Sequence, residues 1–396
     1  MSRVLGALAL LLLAWPVMRL PVEAAAAGAA QQAEGRNGYA GDDACRGCHA
    51  TAVDTYYHTA HFLTSMPATR AAIRGSFAPG ANFLKTANPA LYFRMEARSE
   101  AGNSEAFYQS AVGGESPHVS VRSERFAIVV GSGEKGQTYL YWNDDQLFQL
   151  PVSWWDKVGW VNSPGYRDGY ADFDRAIIPR CLECHATRFE PAPPPVNSYN
   201  TTRFALGVQC EKCHGPGLRH VELERAGMAK DGDMAILNPA HFTRQQQMDL
   251  CAWCHAGHGR PLQPSFSYLP GQPLSQFIQF PVVDATAALD VHGNQVELLT
   301  RSLCYRSSKM TCITCHDVHV AQHDPAAFSE RCLGCHKPES ATFARPNHPV
   351  TKDCITCHMP RQQTNQIVFD FEGRTLRARM VNHWIRVYPE QTAGRP

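Results

Sequence analysis

Seven cysteine pairs in the sequence share one spacing, in which two residues separate the cysteines and a histidine follows the second. Two thiols three positions apart lie on one face of a helical turn, so both can form thioether bonds with the two vinyl groups of one porphyrin. The histidine that follows can then bind the porphyrin iron. Numbered 1 to 7 along the chain, the motifs comprise Cys45, Cys48 and His49; Cys181, Cys184 and His185; Cys210, Cys213 and His214; Cys251, Cys254 and His255; Cys312, Cys315 and His316; Cys332, Cys335 and His336; and Cys354, Cys357 and His358.

The histidine after every pair separates these motifs from the other uses of paired cysteines. A zinc ribbon has Cys-x-x-Cys pairs without an obligatory histidine, and a disulfide framework has irregular spacings. The motifs use fourteen of the fifteen cysteines, and they predict seven covalently bound c-type haems. For the remaining cysteine, Cys304, the favoured interpretation is a small buried side chain near a haem, and the alternative is a reactive thiol.

Eleven histidines outside the motifs are candidates for the second axial ligand of each iron. A histidine a few positions after a motif histidine lies on the same side of the porphyrin and cannot reach round its edge. His220 and His319 are therefore predicted to bind the irons of neighbouring haems, whereas His61 is predicted to serve either its own haem or a neighbour. With His348 and His383, these complete the predicted ligand set, which also contains the motif histidines His49, His185, His214, His255, His316, His336 and His358.

The first residues of the chain predict export. Arg3 precedes an apolar stretch at residues 4–18, and an alanine-rich run follows at residues 24–30. This is the pattern of a secretory signal peptide, and about 15 apolar residues fall short of the roughly 20 that span a bilayer. Residues 1–28 are therefore predicted to be a signal peptide. The mature protein is predicted to be periplasmic and to have no transmembrane segment.

The spacing of the motifs predicts the organisation of the fold. One motif lies near the start of the chain, and the other six lie between residues 181 and 358. Between them, at about residues 91–155, Val, Ile, Tyr and Phe alternate with polar residues between glycine-rich turns, which predicts four to six antiparallel strands. We expect a mainly α fold with much irregular loop, organised around stacked covalent haems, plus this small β-rich insertion. The expected segments are 38–85 for the first haem, 86–160 for the insertion and 161–396 for six haems.

The charge of the chain limits its partners. The formal net charge is +1 at pH 7, which favours neither nucleic acid nor an anionic membrane surface. Each ferric haem would add about −1, because two ionised propionates outweigh the single charge of the iron porphyrin. The mature protein is thus expected to be acidic. Its predicted partners are periplasmic or membrane redox proteins that present basic patches.

Several segments carry a resemblance to a known group of proteins. They are CHGPGLRH at residues 213–220, CHDVH at 315–319, CHMP at 357–360 and the opening YAGDDACRGCH with HTAHFLTSM. These resemble the multihaem cytochromes grouped with the tetrahaem cytochrome c of ammonia oxidisers and octahaem hydroxylamine oxidoreductase. VVGSGEKGQTYLYW, LFQLPVSWW, GWVNSPGY and IIPRCLECHA look like a bacterial family of multihaem c-type cytochromes within that group. The resemblance implies a periplasmic haem array with mostly His/His ligation.

Two functions are compatible with that resemblance. The favoured one is electron transfer through an array of bis-His haems. The alternative is an oxidoreductase that acts on a small nitrogen or sulfur compound at one haem with an open axial site. That alternative needs a proton donor and a cationic pocket, for which the candidates are His118, Arg122, Lys135, Tyr139 and Tyr166. The chain lacks the Cys-x-x-Cys-Lys motif of pentahaem nitrite reductases, and it has one motif fewer than the octahaem enzymes.

Overall fold

Short helices carry the cysteine–histidine motifs in the computed structural model, which describes residues 38–100, 105–115, 118–230, 235–284, 287–337, 339, 353–371 and 373–389. Four of these helices end at a motif histidine, so the imidazole leaves the last turn as the chain changes direction. Motif 5 begins in a 3₁₀ turn, Cys312–Thr314. The helices are α1 (Asp42–Tyr56), α2 (Pro179–His185), α3 (Cys210–His214), α4 (Leu218–Arg225), α5 (Arg244–His255), α6 (Gln295–Thr300), α7 (Leu303–Arg306), α8 (Pro325–Leu333) and α9 (Cys354–His358).

Local signals explain where several helices begin. Pro179 is the first residue of α2, where its missing N–H costs no helical hydrogen bond. Helix α5 starts with a capping box, in which the Thr243 hydroxyl accepts from the Gln246 N–H and the Gln246 side chain accepts from the Thr243 N–H. In α1 the backbone departs from helical geometry at His49 (φ −112°, ψ 36°), so the motif histidine there sits at a kink.

Two antiparallel sheets follow the first motif. The larger has the order β1-β6-β7-β9-β10 with β8 paired to β7, and the smaller has the order β2-β3-β4-β5. Their strands are β1 (Ser65–Pro67), β2 (Phe83–Lys85), β3 (Leu91–Ser99), β4 (Glu105–Glu115), β5 (His118–Arg125), β6 (Ile128–Val130), β7 (Gly136–Asn143), β8 (Gln146–Gln149), β9 (Val152–Trp155) and β10 (Gly159–Asn162).

A hydrophobic core joins these two sheets. Alternate residues of β3, such as Phe93 and Met95, are fully buried and pack with Tyr139 of β7 and Trp160 of β10. This alternation is what a strand with one face on a core requires. The Gln109 side chain crosses between the sheets, donating to the Val152 carbonyl (3.1 Å) and accepting from the Val152 N–H (2.8 Å). The two sheets are therefore joined by a core built from their own side chains.

The prediction of a mainly α fold is wrong. Of the described residues 26% are in helices and 30% are in strands. Residues 91–155 contain seven strands rather than four to six, and three two-stranded sheets lie outside that range. Strands thus alternate with helices, of which α3 and α9 are no longer than the motif they hold. The additional strands are β11 (Ala186–Pro191), β12 (Tyr199–Leu206), β13 (Arg260–Pro261), β14 (Ile278–Gln279), β15 (Arg361–Phe371) and β16 (Arg374–Val381).

The predicted segment boundaries stay predictions. The described residues from Tyr39 onward group into one compact unit, and the predicted signal peptide, residues 1–28, lies outside the described residues. Within the described part of the chain, no helix combines the length and apolar character needed to cross a bilayer.

Candidate functional site

Four pairs of imidazole rings each join one motif histidine to one histidine outside the motifs. Their ring centres are 6.4 Å apart for His49 and His220, 6.1 Å for His255 and His61, 6.2 Å for His214 and His319, and 6.3 Å for His316 and His383. No histidine occurs in two pairs. The structure thus places four of the five predicted second ligands beside the histidines of motifs 1, 3, 4 and 5.

The separation fits one metal ion held between two imidazoles. Zinc–imidazole bonds are about 2.0–2.1 Å long, and an iron–imidazole bond of similar length places each ring centre about 3.2 Å from the metal, so that two opposed rings are about 6.3 Å apart. The angles between ring planes are 21°, 26° and 27° in three pairs and 70° in the pair of His61 and His255. Small and large angles between the ring planes are both compatible with two imidazoles on one metal ion, because each ring can rotate about its bond to the metal.

Each outer histidine lies beside a motif other than the one that precedes it. His220 follows His214 by six residues but faces His49, and His319 follows His316 by three residues but faces His214. His61 follows motif 1 and faces His255 of motif 4. The sequence left His61 open between its own haem and a neighbour, and the structure brings it to the neighbouring motif.

Hydrogen bonds at Nδ1 orient four of the motif and outer histidines and leave their Nε2 atoms available for a metal. Because a carbonyl oxygen only accepts, Nδ1 donates in His214 to Leu237 O (2.9 Å), in His358 to Arg386 O (3.0 Å) and in His383 to Val381 O (3.2 Å). His255 Nδ1 lies 3.4 Å from Gln295 Oε1. A proton on Nδ1 leaves the lone pair on Nε2, which is the arrangement of metal-binding histidines.

Burial keeps these imidazoles neutral. It lowers the pKa of His61, His185 and His383 to about 4 each, with smaller contributions from neighbouring histidines. Burial also lowers the pKa of His214, His255 and His316. A neutral imidazole presents the lone pair that a metal requires, so these six histidines are ready to bind metal at neutral pH.

Contacts between cysteines of different motifs show which motifs are neighbours. One thiol shifts the pKa of the other in four pairs, which are Cys45 and Cys210, Cys184 and Cys254, Cys251 and Cys312, and Cys332 and Cys354. All fifteen cysteines are free, so none of these contacts is a disulfide. They link motif 1 to 3, motif 2 to 4, motif 4 to 5 and motif 6 to 7.

A buried carboxylate fastens motif 1 to motif 3. Glu211, inside motif 3, accepts from the N–H groups of Ala40 (2.8 Å), Gly41 (2.9 Å) and Gly217 (2.6 Å). In return Asp42 Oδ1 accepts from the Cys210 N–H at 3.1 Å. Residues 170 positions apart in sequence are thereby held at one place, which is where the Cys45–Cys210 contact lies.

Motifs 2, 6 and 7 have different surroundings. His185 is partly buried, with Nδ1 3.0 Å from Thr64 Oγ1, and the nearby His292 contributes after burial to lowering the His185 pKa. Sequence reasoning did not select His292, because it follows no motif closely and lies in an ordinary loop pattern, DVHGN. His336 is exposed. The remaining predicted ligand, His348, lies outside the described residues.

A buried lysine lies among motifs 2, 3 and 4. Lys212 is 4% exposed, and its Nζ is 3.6 Å from the ring centre of Trp253, with no hydrogen-bond partner in the described structure. Burial lowers the Lys212 pKa to about 8, although Cys254, Glu183 and Cys184 favour the charged form. Sequence reasoning passed over this residue because it occupies a variable position of its motif.

The side chains proposed for an enzymatic alternative have separate structural roles. Tyr139 donates to Gln137 Oε1 (3.2 Å) in the core, and Tyr166 donates to the Gln149 carbonyl (2.9 Å). Arg122 pairs with Glu124, while His118 and Lys135 are exposed. Cys304 is partly buried, and burial raises its pKa. A raised pKa fits a small packed side chain better than a reactive thiol.

Comparison with known protein families gives a match for part of the chain. Residues 166–215, which contain motifs 2 and 3, match the family model of cytochrome c554 and c-prime. No curated protein and no solved structure gives a significant match. Since c-type cytochromes bind haem covalently, this match to part of the chain supports covalent haem of the c type.

Proposed function

We propose that this protein is an exported multihaem cytochrome that carries covalent haem at all seven motifs and transfers electrons through them. The observation that carries the proposal is the set of four histidine pairs at 6.1–6.4 Å, each joining a motif histidine to an outer one. Two axial imidazoles leave no open site on an iron, which suits electron transfer rather than substrate binding.

The chain's residues have distinct roles in this proposal. Haem supplies a reversible one-electron change at its iron. The motif cysteines tether each group, and the hydrogen bonds of His214, His358 and His383 at Nδ1 fix the orientation of the ligand rings. His185 and His255 are partly buried. Ligand rings fixed in orientation limit the reorganisation that accompanies each electron.

The contacts between motif cysteines support a continuous path. Motif 2 contacts motif 4 through Cys184 and Cys254, and motif 4 contacts motif 5 through Cys251 and Cys312. The Glu211 clamp holds motifs 1 and 3 together, and His319, beside motif 5, reaches motif 3. Because thioether sulfurs lie at the porphyrin edge, neighbouring sulfurs imply neighbouring haem edges. Motifs 1 to 5 would thus form one connected array, and motif 6 would join it through the interaction of its cysteines with Cys315 of motif 5, with motif 7 next to motif 6.

The finer identity belongs to the same proposal. We place the protein in the multihaem group that includes the tetrahaem cytochrome c of ammonia oxidisers and octahaem hydroxylamine oxidoreductase, on the strength of the segments quoted above. We also propose that it is periplasmic after removal of residues 1–28, and that its partners are periplasmic or membrane redox proteins.

Low-temperature EPR spectroscopy of the oxidised protein, with a CO titration of the reduced protein, tests the function. The irons of motifs 1, 3, 4 and 5 should be low-spin, and they should not bind CO. If more than three irons per chain are high-spin and bind CO, at least one of the four histidine pairs does not hold an iron, and the ligand pairs are wrong. If one of those three is open and turns over a small nitrogen or sulfur compound, the enzymatic alternative replaces electron transfer.

A further inference from the structure

An arginine-rich hairpin follows the last motif directly. Strands β15 and β16 pair in antiparallel register, with Arg361 opposite Val381 and Gln363 opposite Arg379. Side chains alternate between the two faces of a strand, so Arg377, Arg379 and Arg361 lie on one face, and all three are exposed. The opposite face carries Ala378, which is buried. We call these three arginines the arginine face.

The arginine face has no internal countercharge among the described residues. Arg361 and Arg379 donate to each other's backbone carbonyls (2.9 and 2.6 Å), and Arg377 donates to Asn365 Oδ1 (2.6 Å). No ion pair of the described residues includes any of the three. Their hydrogen bonds fix the guanidinium groups without neutralising them, so the face presents positive charge outward.

The segment that follows the hairpin is hydrogen-bonded to the histidine of motif 7 at the nitrogen that orients its ring. His358 Nδ1 donates to Arg386 O (3.0 Å), and the Arg386 N–H donates to His358 O (3.3 Å). The Arg386 guanidinium lies over the rings of Trp384 (4.1 Å) and Tyr388 (4.6 Å), and the adjacent Val387 is 60% exposed. An exposed arginine and a partly exposed tryptophan beside an exposed apolar residue are the composition of a protein interface, whereas the Tyr388 ring is buried.

We propose that the arginine face docks a small acidic redox protein, which exchanges electrons with the chain at motif 7. Arg377 and Arg379 are two strand positions apart, about 7 Å along the strand, so the face spans more than one small oxyanion and suits a surface with several carboxylates. This inference rests on the proposed electron-transfer function. The overall charge of the mature protein predicts a partner with basic patches. The arginine face adds a second partner, which is acidic.

The test is the rate at which the reduced, haem-loaded protein passes electrons to two probes of opposite charge. Plastocyanin serves as the acidic probe and mitochondrial cytochrome c as the basic one. The variant is the triple change Arg361→Gln, Arg377→Gln and Arg379→Gln. The control triple, Lys85→Gln, Lys135→Gln and Lys157→Gln, removes the same charge from exposed positions near the two large sheets. Stopped-flow rates are measured from low to high ionic strength.

The arginine variant should reduce plastocyanin about fivefold more slowly than the control variant at low ionic strength, and the difference should vanish at high salt. Its rate with cytochrome c should not fall. Equal plastocyanin rates in both variants would overturn the docking proposal. So would a loss of haem or a changed potential at motif 7 in the arginine variant, because the arginines would then hold the haem rather than a partner. If the wild-type protein reduces neither probe, the proposed function itself fails.

Discussion

His319 lies beside His214 of motif 3, with ring centres 6.2 Å apart, although it follows His316 of motif 5 by only three residues. His316 in turn lies 6.3 Å from His383, near the end of the chain. His316 of motif 5 and His319, three residues later, therefore face two different histidines. If each pair holds one iron, this short segment couples two haems mechanically and sets the distance between them.

Removing His319 should open one iron. In His319→Ala, the iron bound by His214 loses its second axial ligand, so one low-spin signal in the EPR spectrum should be replaced by a high-spin signal, and the reduced protein should bind one CO. The control is His323→Ala, since His323 is exposed and pairs with Glu134. A spectrum of His319→Ala identical to that of the control would refute the assignment of this pair.

Replacing Lys212 should change potentials without changing ligands. A positive charge stabilises the reduced, more negative state of a nearby iron, so Lys212→Met should lower the potential of at least one iron of motifs 2 to 4. A unit charge about 10 Å away contributes about 1.7 kcal/mol at an effective dielectric constant of about 20, which corresponds to tens of millivolts. Spectroelectrochemical titration measures the shift. Lys85→Met, at an exposed position, should leave all potentials in place, and a Lys212→Met curve that overlays the wild-type curve would exclude this role.

The Glu211 clamp should stabilise the contact between motifs 1 and 3. In Glu211→Gln one of the accepting oxygens becomes an NH₂ group that faces backbone donors, and a buried donor left unpaired costs about 1–3 kcal/mol. We expect the segment from Tyr39 to His49 to become sensitive to protease in this variant at temperatures where the wild type resists. The exposed Glu222→Gln provides the comparison. Equal cleavage rates in the two variants would show that the clamp is dispensable.

Cys304 should be dispensable for haem attachment. It lies outside every motif, and burial raises its pKa, so the thiol is protonated at neutral pH. Cys304→Ser should therefore carry the same number of haems as the wild type, as measured by the pyridine haemochrome absorbance per chain. A stoichiometry reduced by one would show that this cysteine takes part in attachment.

Local spacing explains what could be predicted from the sequence. Motif chemistry depends on residues within one helical turn, and the argument that His220 and His319 cannot reach their own irons needs only the length of the chain between them. The pairing of His61 with His255 spans most of the β-rich region, so it depends on tertiary packing that no local pattern encodes. His292 lies near His185 for the same reason.

The error in fold class has a related cause. A mainly α fold requires helices that continue beyond the motifs, but α2, α3, α5 and α9 end at the histidine itself. Hairpins begin at Ala186, directly after motif 2, and at Arg361, three residues after motif 7. The arginines of β16 alternate with small and apolar residues, but their charge masked this strand pattern in the sequence.

The mass of the mature protein tests the central claim most directly. Intact mass spectrometry of protein exported by cells with a working cytochrome c maturation system should find the chain heavier than its polypeptide by seven haem groups, one for each motif. A mass equal to that of the bare polypeptide would contradict the entire account, and any smaller number of haems would identify motifs that serve another purpose.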